Sequence, residues 1–213
     1  MKYEELRAAF KERPVFTLDD LHFTGSPGKH EFVQLSHWVK AGKVVHLRKG
    51  LYTLCDGDRK VVVNPLWLSN RMYEPSYISL EYALSYYGLI PEAVGTITCV
   101  SSRKPALFRN PFGEFRYSKI KQSCFFGFVT AASGQGLPFW IAMPEKAVLD
   151  FLYLRIPKLN DVSESLLLEN YRFQNADQLN PSVFSEILGR FKAPGIQKAG
   201  NVFLKLLEKG MEP

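Results

Sequence analysis

The chain has little cysteine, little histidine and no long apolar run. Cys55, Cys99 and Cys124 are odd in number, far apart and in no Cys-x-x-Cys arrangement. That pattern argues against a disulfide framework and against a zinc site. The four histidines, His22, His30, His37 and His46, all lie near the N-terminus, away from any cysteine pair. No metal and no cofactor is therefore expected. No apolar stretch approaches bilayer-spanning length, and Met1-Lys2-Tyr3-Glu4-Glu5 is no signal peptide. The sequence thus predicts a cytoplasmic protein with no membrane partner. Signatures of catalysis are missing too. Gly134-Gln135-Gly136 lacks the strand–helix context and the Lys-Ser/Thr pair of a phosphate loop. No serine sits in a nucleophile elbow. Glu145, Lys146 and Asp150 offer the carboxylates and lysine of a metal-dependent nuclease, but the two acids lie five apart on a predicted helix and diverge. The expectation is no enzyme and no catalytic residue.

What is present is a sizeable core and a modest, localised positive charge. At 213 residues and 46% apolar content, the chain makes one or two globular domains. The formal net charge is +6. Residues 29 to 60 hold seven Lys or Arg against three acids, which is +4 of that +6. A local excess of this kind favours phosphate backbones through counterion release.

The same window has an ordered pattern. Thr17-Leu18-Asp19-Asp20 reads as a capping box opening a short helix. Gly25-Ser26-Pro27-Gly28 is a dense turn signal. A second helix fits Lys29 to Lys40, with Phe32, Leu35 and Val39 as its buried stripe and Trp38 beside it. Gly42 suits a left-handed cap. Val44 and Val45 begin a hairpin that turns at Arg48-Lys49-Gly50 and returns through Leu51, Tyr52 and Leu54. An earlier amphipathic helix from Tyr3 to Arg13, with Leu6 and Phe10 inward, completes a three-helix core. This is the layout of a winged helix-turn-helix, which puts one helix in the major groove and a basic loop on phosphates. The candidate DNA-binding residues are Lys29, His30, Gln34, His37, Lys40, Lys43, Arg48 and Lys49. Winged helices also serve as protein-binding modules, so an adaptor remains an alternative.

Beyond the polar run Cys55 to Lys60 the pattern changes, which predicts a winged-helix domain over 1–58 and a second domain over 59–213. Helices are expected over Pro65–Asn70, Ser79–Tyr87 and Pro144–Leu154. Strands are expected over Thr96–Val100, Phe115–Ile120, Phe125–Thr130 and Phe139–Ala142. The tail after Asp161 is helical, with Asn180-Pro181 opening one helix and a last helix from about Ile196 to Glu208. The fold class is α+β: a winged helix-turn-helix, then an α+β domain with a mixed sheet and a helical tail. Tyr82 and Tyr86 lie beside the apolar stripe Leu80, Ala83, Leu84 and Tyr87, where they either line a pocket or bury, and burial is the favoured reading.

Three runs carry a family resemblance. Ser76-Tyr77-Ile78-Ser79-Leu80-Glu81-Tyr82-Ala83-Leu84-Ser85-Tyr86-Tyr87-Gly88-Leu89-Ile90 resembles the central motif of AbiEi-type antitoxins. Met143-Pro144-Glu145-Lys146-Ala147-Val148-Leu149-Asp150 and the hairpin Leu47-Arg48-Lys49-Gly50-Leu51-Tyr52-Thr53-Leu54 are similar to that family as well. The runs come in the family's order and span most of residues 16 to 155. The resemblance implies a winged helix that binds double-stranded operator DNA and represses its own operon. It implies a second domain that opposes a nucleotidyltransferase toxin, as in type IV toxin–antitoxin systems, where no stable complex is required. A homodimer on DNA is compatible with it, and so is a regulator without antitoxin activity. Arg103, Lys104, Arg109, Arg116, Lys119 and Lys121 fall in one window with a single acid, Glu114. They are the candidate antitoxin surface, set against the plainer reading of a solvated sheet face.

Overall fold

The computed structural model describes residues 2–22, 29–132, 136–156 and 161–209, with backbone alone for 22 and 29–32. The first helix, α1, spans Tyr3–Phe10. It is followed by β1 (Phe16–Thr17), α2 (Leu18–His22), α3 (Lys29–Lys40), β2 (Val44–Arg48) and β3 (Leu51–Leu54). The three strands form an antiparallel sheet in the order β1-β3-β2. Each element follows from local chemistry. The Thr17 backbone N–H and hydroxyl both donate to Asp20 Oδ2 at 2.7 Å, while the Asp20 N–H returns to the Thr17 hydroxyl. That is the expected capping box, and it starts α2. Gly50 takes a φ of +77°, a left-handed conformation that lets β2 turn back into β3 without Cβ strain. Leu6, Phe10, Phe16, Leu21, Leu35, Val44 and Leu54 pack as a small core. Phe10 and Phe16 stack at 4.6 Å between ring centroids. The expected turn Gly25-Ser26-Pro27-Gly28, the side chain of Phe32 and the pair Gly134-Gln135 lie outside the described residues.

The larger unit is mixed α and β. It contains α4 (Pro65–Met72), β4 (Ser76–Ile78), α5 (Leu80–Tyr86), β5 (Ile97–Ser101), β6 (Ala106–Asn110), β7 (Gly113–Lys119), β8 (Phe128–Ala131) and β9 (Phe139–Ala142). Helices α6 (Pro144–Arg155), α7 (Pro181–Gly189) and α8 (Pro194–Lys209) complete it. Its six strands run in the order β6-β7-β5-β4-β9-β8. The pairs β5–β7 and β4–β9 are parallel and the others antiparallel, so the sheet is mixed as expected. The strand expected from Phe125 begins at Phe128, and β4 and β6 were not anticipated. The tail holds α7 and α8, with short π and 3-10 turns at Leu166–Asn170 and Ala176–Gln178. Asn180 caps α7 by accepting from the N–H groups of Ser182 and Val183. No helix among the described residues is long and apolar enough to cross a membrane.

Packing crosses the expected boundary at residue 58. Leu47 and Leu51, from the hairpin, belong to the same buried cluster as the larger unit. The Asn110 side-chain amide donates to the Leu47 carbonyl at 3.2 Å. The Arg59 guanidinium lies 5.6 Å from the Phe112 ring centroid, and the Lys60 N–H donates to the Lys11 carbonyl at 2.8 Å. The polar run Cys55 to Lys60 is therefore tied to both units.

Candidate nucleic-acid interface

Helix α3 buries Leu35 and leaves Val33, Ser36, His37 and Lys40 exposed. Trp38 turns inward and meets Tyr3 edge-on at 5.6 Å. Lys43, just past the helix, is exposed, and its ammonium lies 4.6 Å from the Tyr3 ring centroid. Gln34 is half-buried. Lys29 and His30 stand in the first turn of α3, with their side chains outside the described residues. His37, Lys40 and Lys43 are thus available to a ligand along one end of the helix. A groove of about 310 Å³ runs beside them between α3 and the hairpin, lined by Leu35, Ser36, Val39, Lys40, His46 and Tyr52.

The hairpin tip departs from expectation. Lys49 is exposed, but Arg48 is half-buried and turned toward the larger unit. Its Nε donates to the Met72 carbonyl at 2.5 Å, and its Nη1 to the Lys49 carbonyl at 2.8 Å. Burial lowers the pKa of its guanidinium, and the nearby Arg103 and Arg71 add to the effect. Arg48 thus links the hairpin to the end of α4. Nothing local in the sequence signals it, because the acceptor lies twenty-four residues away.

The six basic residues of the larger unit do not form one patch. Strand β7 buries Phe115 and Tyr117 and exposes Arg116, as its period-two pattern requires. Arg109 and Arg116 both pair with Glu114, at 2.6 and 3.2 Å. The two arginines hold its carboxyl below the usual range. Arg103, Lys104, Lys119 and Lys121 gather toward the other end, where Ser101 and Lys119 are in register across β5 and β7. Arg103 lies 4.3 Å from the Tyr73 ring centroid and donates to the Glu74 carbonyl at 3.0 Å. Lys104, Lys119 and Lys121 are exposed and make no ion pair among the described residues. The free positive charge is thus at the 103–121 end, and the Arg109–Glu114–Arg116 end is largely neutralised.

The two other runs that carry the family resemblance meet in the core. Lys146 and Asp150 have no exposed side-chain surface and form an ion pair within α6. The Tyr77 and Ser79 hydroxyls each donate to Asp150 Oδ2 at 2.9 Å, and Lys146 Nζ also donates to Tyr77 Oη at 2.8 Å. Lys146 Nζ is 5.2 Å from the centroids of both Phe126 and Phe191. Burial pushes the Lys146 pKa down and the Asp150 carboxyl up, while their mutual attraction opposes both shifts. Ser79 stands at the N-cap position of α5, yet its hydroxyl serves Asp150 and makes no capping bond. Glu145 does not join this cluster. Its Oε1 accepts from the Asn180 N–H at 2.9 Å and fixes the start of α7. The i,i+4 spacing of Lys146 and Asp150 was the available signal for the pair. Tyr86 is 46% exposed, and Tyr82 half-buried, against the expectation that both bury. No group of three or more metal-ligating side chains occurs among the described residues. No protein-family model matches the chain, and no curated protein matches it.

Proposed function

We propose that the chain is a DNA-binding transcriptional regulator and antitoxin of the AbiEi type. Its N-terminal unit acts as a winged helix on double-stranded operator DNA, and its larger unit counters a nucleotidyltransferase toxin. One observation carries the first half: the order α1-β1-α2-α3-β2-β3, closed by the sheet β1-β3-β2, with Ser36, His37 and Lys40 exposed on α3. Lys43 and the exposed Lys49 extend the basic surface. The second half rests on the resemblance. The union of its two core runs through Tyr77, Ser79, Lys146 and Asp150 supports treating them as one packing unit. A protein-binding adaptor is the second reading, favoured by the hairpin tip being held by the larger unit.

The test is a mobility shift on the chain's own promoter DNA. Lys40→Ala/Lys43→Ala/Lys49→Ala should weaken binding, and the log–log salt slope should fall by about one per lost phosphate contact. Unchanged affinity and slope favour the adaptor. For the larger unit, neutralising Lys104, Lys119 and Lys121 should abolish protection from a co-expressed toxin and leave promoter binding intact. Full protection by that folded variant removes the antitoxin role from this surface.

A further inference from the structure

On helix α4, Trp67, Asn70 and Arg71 stand at i, i+3 and i+4, which puts them on one face, and Glu74 follows in the loop after the helix. That face looks across a cleft at the sheet edge formed by β8 and β9. Trp67, Arg71, Glu74, Thr130, Pro138 and Trp140 line the cleft, whose volume is about 240 Å³. Trp140 alternates outward on β9 between the buried Phe139 and Ile141 and is 43% exposed. Exposing that much indole surface forgoes a large hydrophobic contribution.

The cleft is rigidly built. Asn70 is buried to 8% exposure and grips the backbone of Trp140 from both sides. Its Oδ1 accepts from the Trp140 N–H at 2.6 Å, and its Nδ2 donates to the Trp140 carbonyl at 3.3 Å. This pair of hydrogen bonds fixes the Trp140 backbone relative to α4. The polar groups at the rim are lightly committed. Arg71 and Glu74 pair at 2.8 Å, but both are about half exposed, and an exposed pair of this kind contributes little and opens readily. The Thr130 hydroxyl has no partner among the described residues.

Positive charge continues from the rim. The Arg48 guanidinium lies in the field of Arg71 and Arg103, offset by Glu74. Arg103 covers Tyr73, and the Tyr73 hydroxyl donates to the Lys104 carbonyl. Arg71, Arg103 and Lys104 therefore stand around one short loop, residues 72–74, while Arg48 is tied to the Met72 carbonyl. Two indoles lining a cleft of about 240 Å³, beside the cations Arg71, Arg103 and Lys104, match a specific ligand chemistry.

We propose that this cleft is a stacking site for a base of single-stranded nucleic acid, whose backbone follows these cations. The indoles supply the stacking faces. Arg71, Glu74 and Thr130 supply donors and acceptors for the base edge or its phosphate. The site is separate from α3, so it does not depend on the duplex-binding reading above.

The experiment is fluorescence anisotropy of the full chain with a short labelled single strand. Trp140→Ala should weaken binding about tenfold, the order of one lost base–aromatic contact. Trp140→Phe should restore most of it, and promoter-duplex binding should not change in either variant. Should Trp140→Ala fail to fold, the unaltered chain is titrated with strands carrying abasic positions, which should bind about tenfold more weakly than the intact strand. Equal affinity for intact and abasic strands overturns the proposal. So does competition by a mononucleotide as strong as by the strand, which would mean a free nucleotide site. Equal competition by polyglutamate would reduce these cations to a general acidic-partner surface and overturn the proposal as well.

Discussion

Removing the buried lysine should be among the most damaging single changes in the larger unit. Lys146→Met keeps the length of the aliphatic stem and deletes only the charge. Asp150, without exposed side-chain surface, then keeps the Tyr77 and Ser79 hydroxyls but no cation. Breaking a buried pair from one side destabilises by about 3–5 kcal/mol, because an uncompensated charge is left behind. Against a total of about 5–15 kcal/mol for an ordinary domain, that is a large share. The variant also gains a pH signature. Burial already pushes the Asp150 carboxyl upward, and Lys146 is the largest opposing influence. With the lysine gone, the folded carboxyl titrates higher still, above its unfolded value. A carboxyl of that kind adds stability below its unfolded pKa and loses it as pH rises through the folded pKa. The penalty should therefore be larger at pH 8 than at pH 5. Lys146→Met/Asp150→Leu removes both charges and should cost less than the sum of the two single changes by about 2 kcal/mol or more. Urea unfolding followed by circular dichroism at the two pH values measures all of this. A Lys146→Met variant within about 1 kcal/mol of the unaltered protein at pH 8, or strict additivity of the pair, would refute the reasoning.

Gly127 has a φ of +72°, and a Cβ there would meet Lys146 Cγ at 3.1 Å, so Gly127→Ala should destabilise by about 1–3 kcal/mol in the same assay. Burial pushes the Cys99 thiol and the Tyr87 hydroxyl up to about 12. Both contribute stability that is whole below their unfolded pKa values and falls as pH rises toward 12, so urea midpoints should drop progressively above pH 9; a flat profile from 9 to 11 would contradict this. Iodoacetamide at pH 8 should label the half-buried Cys55 first and the fully buried Cys99 last, read by peptide mass spectrometry. Arg48→Ala should leave promoter affinity nearly intact but raise hydrogen exchange at the hairpin and at Met72, whereas Lys49→Ala should lower affinity; the reverse pattern would return Arg48 to the DNA contacts.

Much of the fold was written locally. Pro144 after Met143 sets the start of α6, and Phe139–Ala142 is a strand in both readings. The capping box at Thr17 and Asp20 and the turn at Gly50 needed only their own residues. What escaped was settled by tertiary contacts. Ser76–Ile78 is three residues long and wholly buried, so it shows no alternation from which a strand could be read. Ala106–Asn110 is an edge strand whose Ala106 and Phe108 are half-buried and whose Leu107 is exposed, so its apolar residues do not alternate. The candidate site followed the same division. The exposure of His37, Lys40 and Lys43 was legible from helix spacing and position. The inward turn of Arg48 and the sharing of Glu114 by Arg109 and Arg116 depend on partners brought near by folding. The cleft was half legible: Trp67 and Arg71 share a helical face, but Trp140 arrives from a strand sixty-nine residues beyond Arg71.

The three-residue strand β4 has a consequence for the growing chain. It stands between β5, which follows it closely, and β9, with which Ile78 registers against Ile141. By the time residue 119 is made, β6, β7, β5 and β4 can already form a four-stranded half-sheet, whose open margin is β4 itself. That margin presents Ser76, Tyr77 and Ile78, with unpaired backbone groups and an apolar flank, until β9 is synthesised. An open, apolar strand edge is a template for another copy of the same chain. The exposure ends when β9 docks, and α6 follows it without a gap longer than Met143. The same arrival therefore closes the sheet and lowers Lys146 and Asp150 onto Tyr77 and Ser79. Nascent chains truncated between residues 120 and 138 are the ones this architecture leaves prone to aggregate.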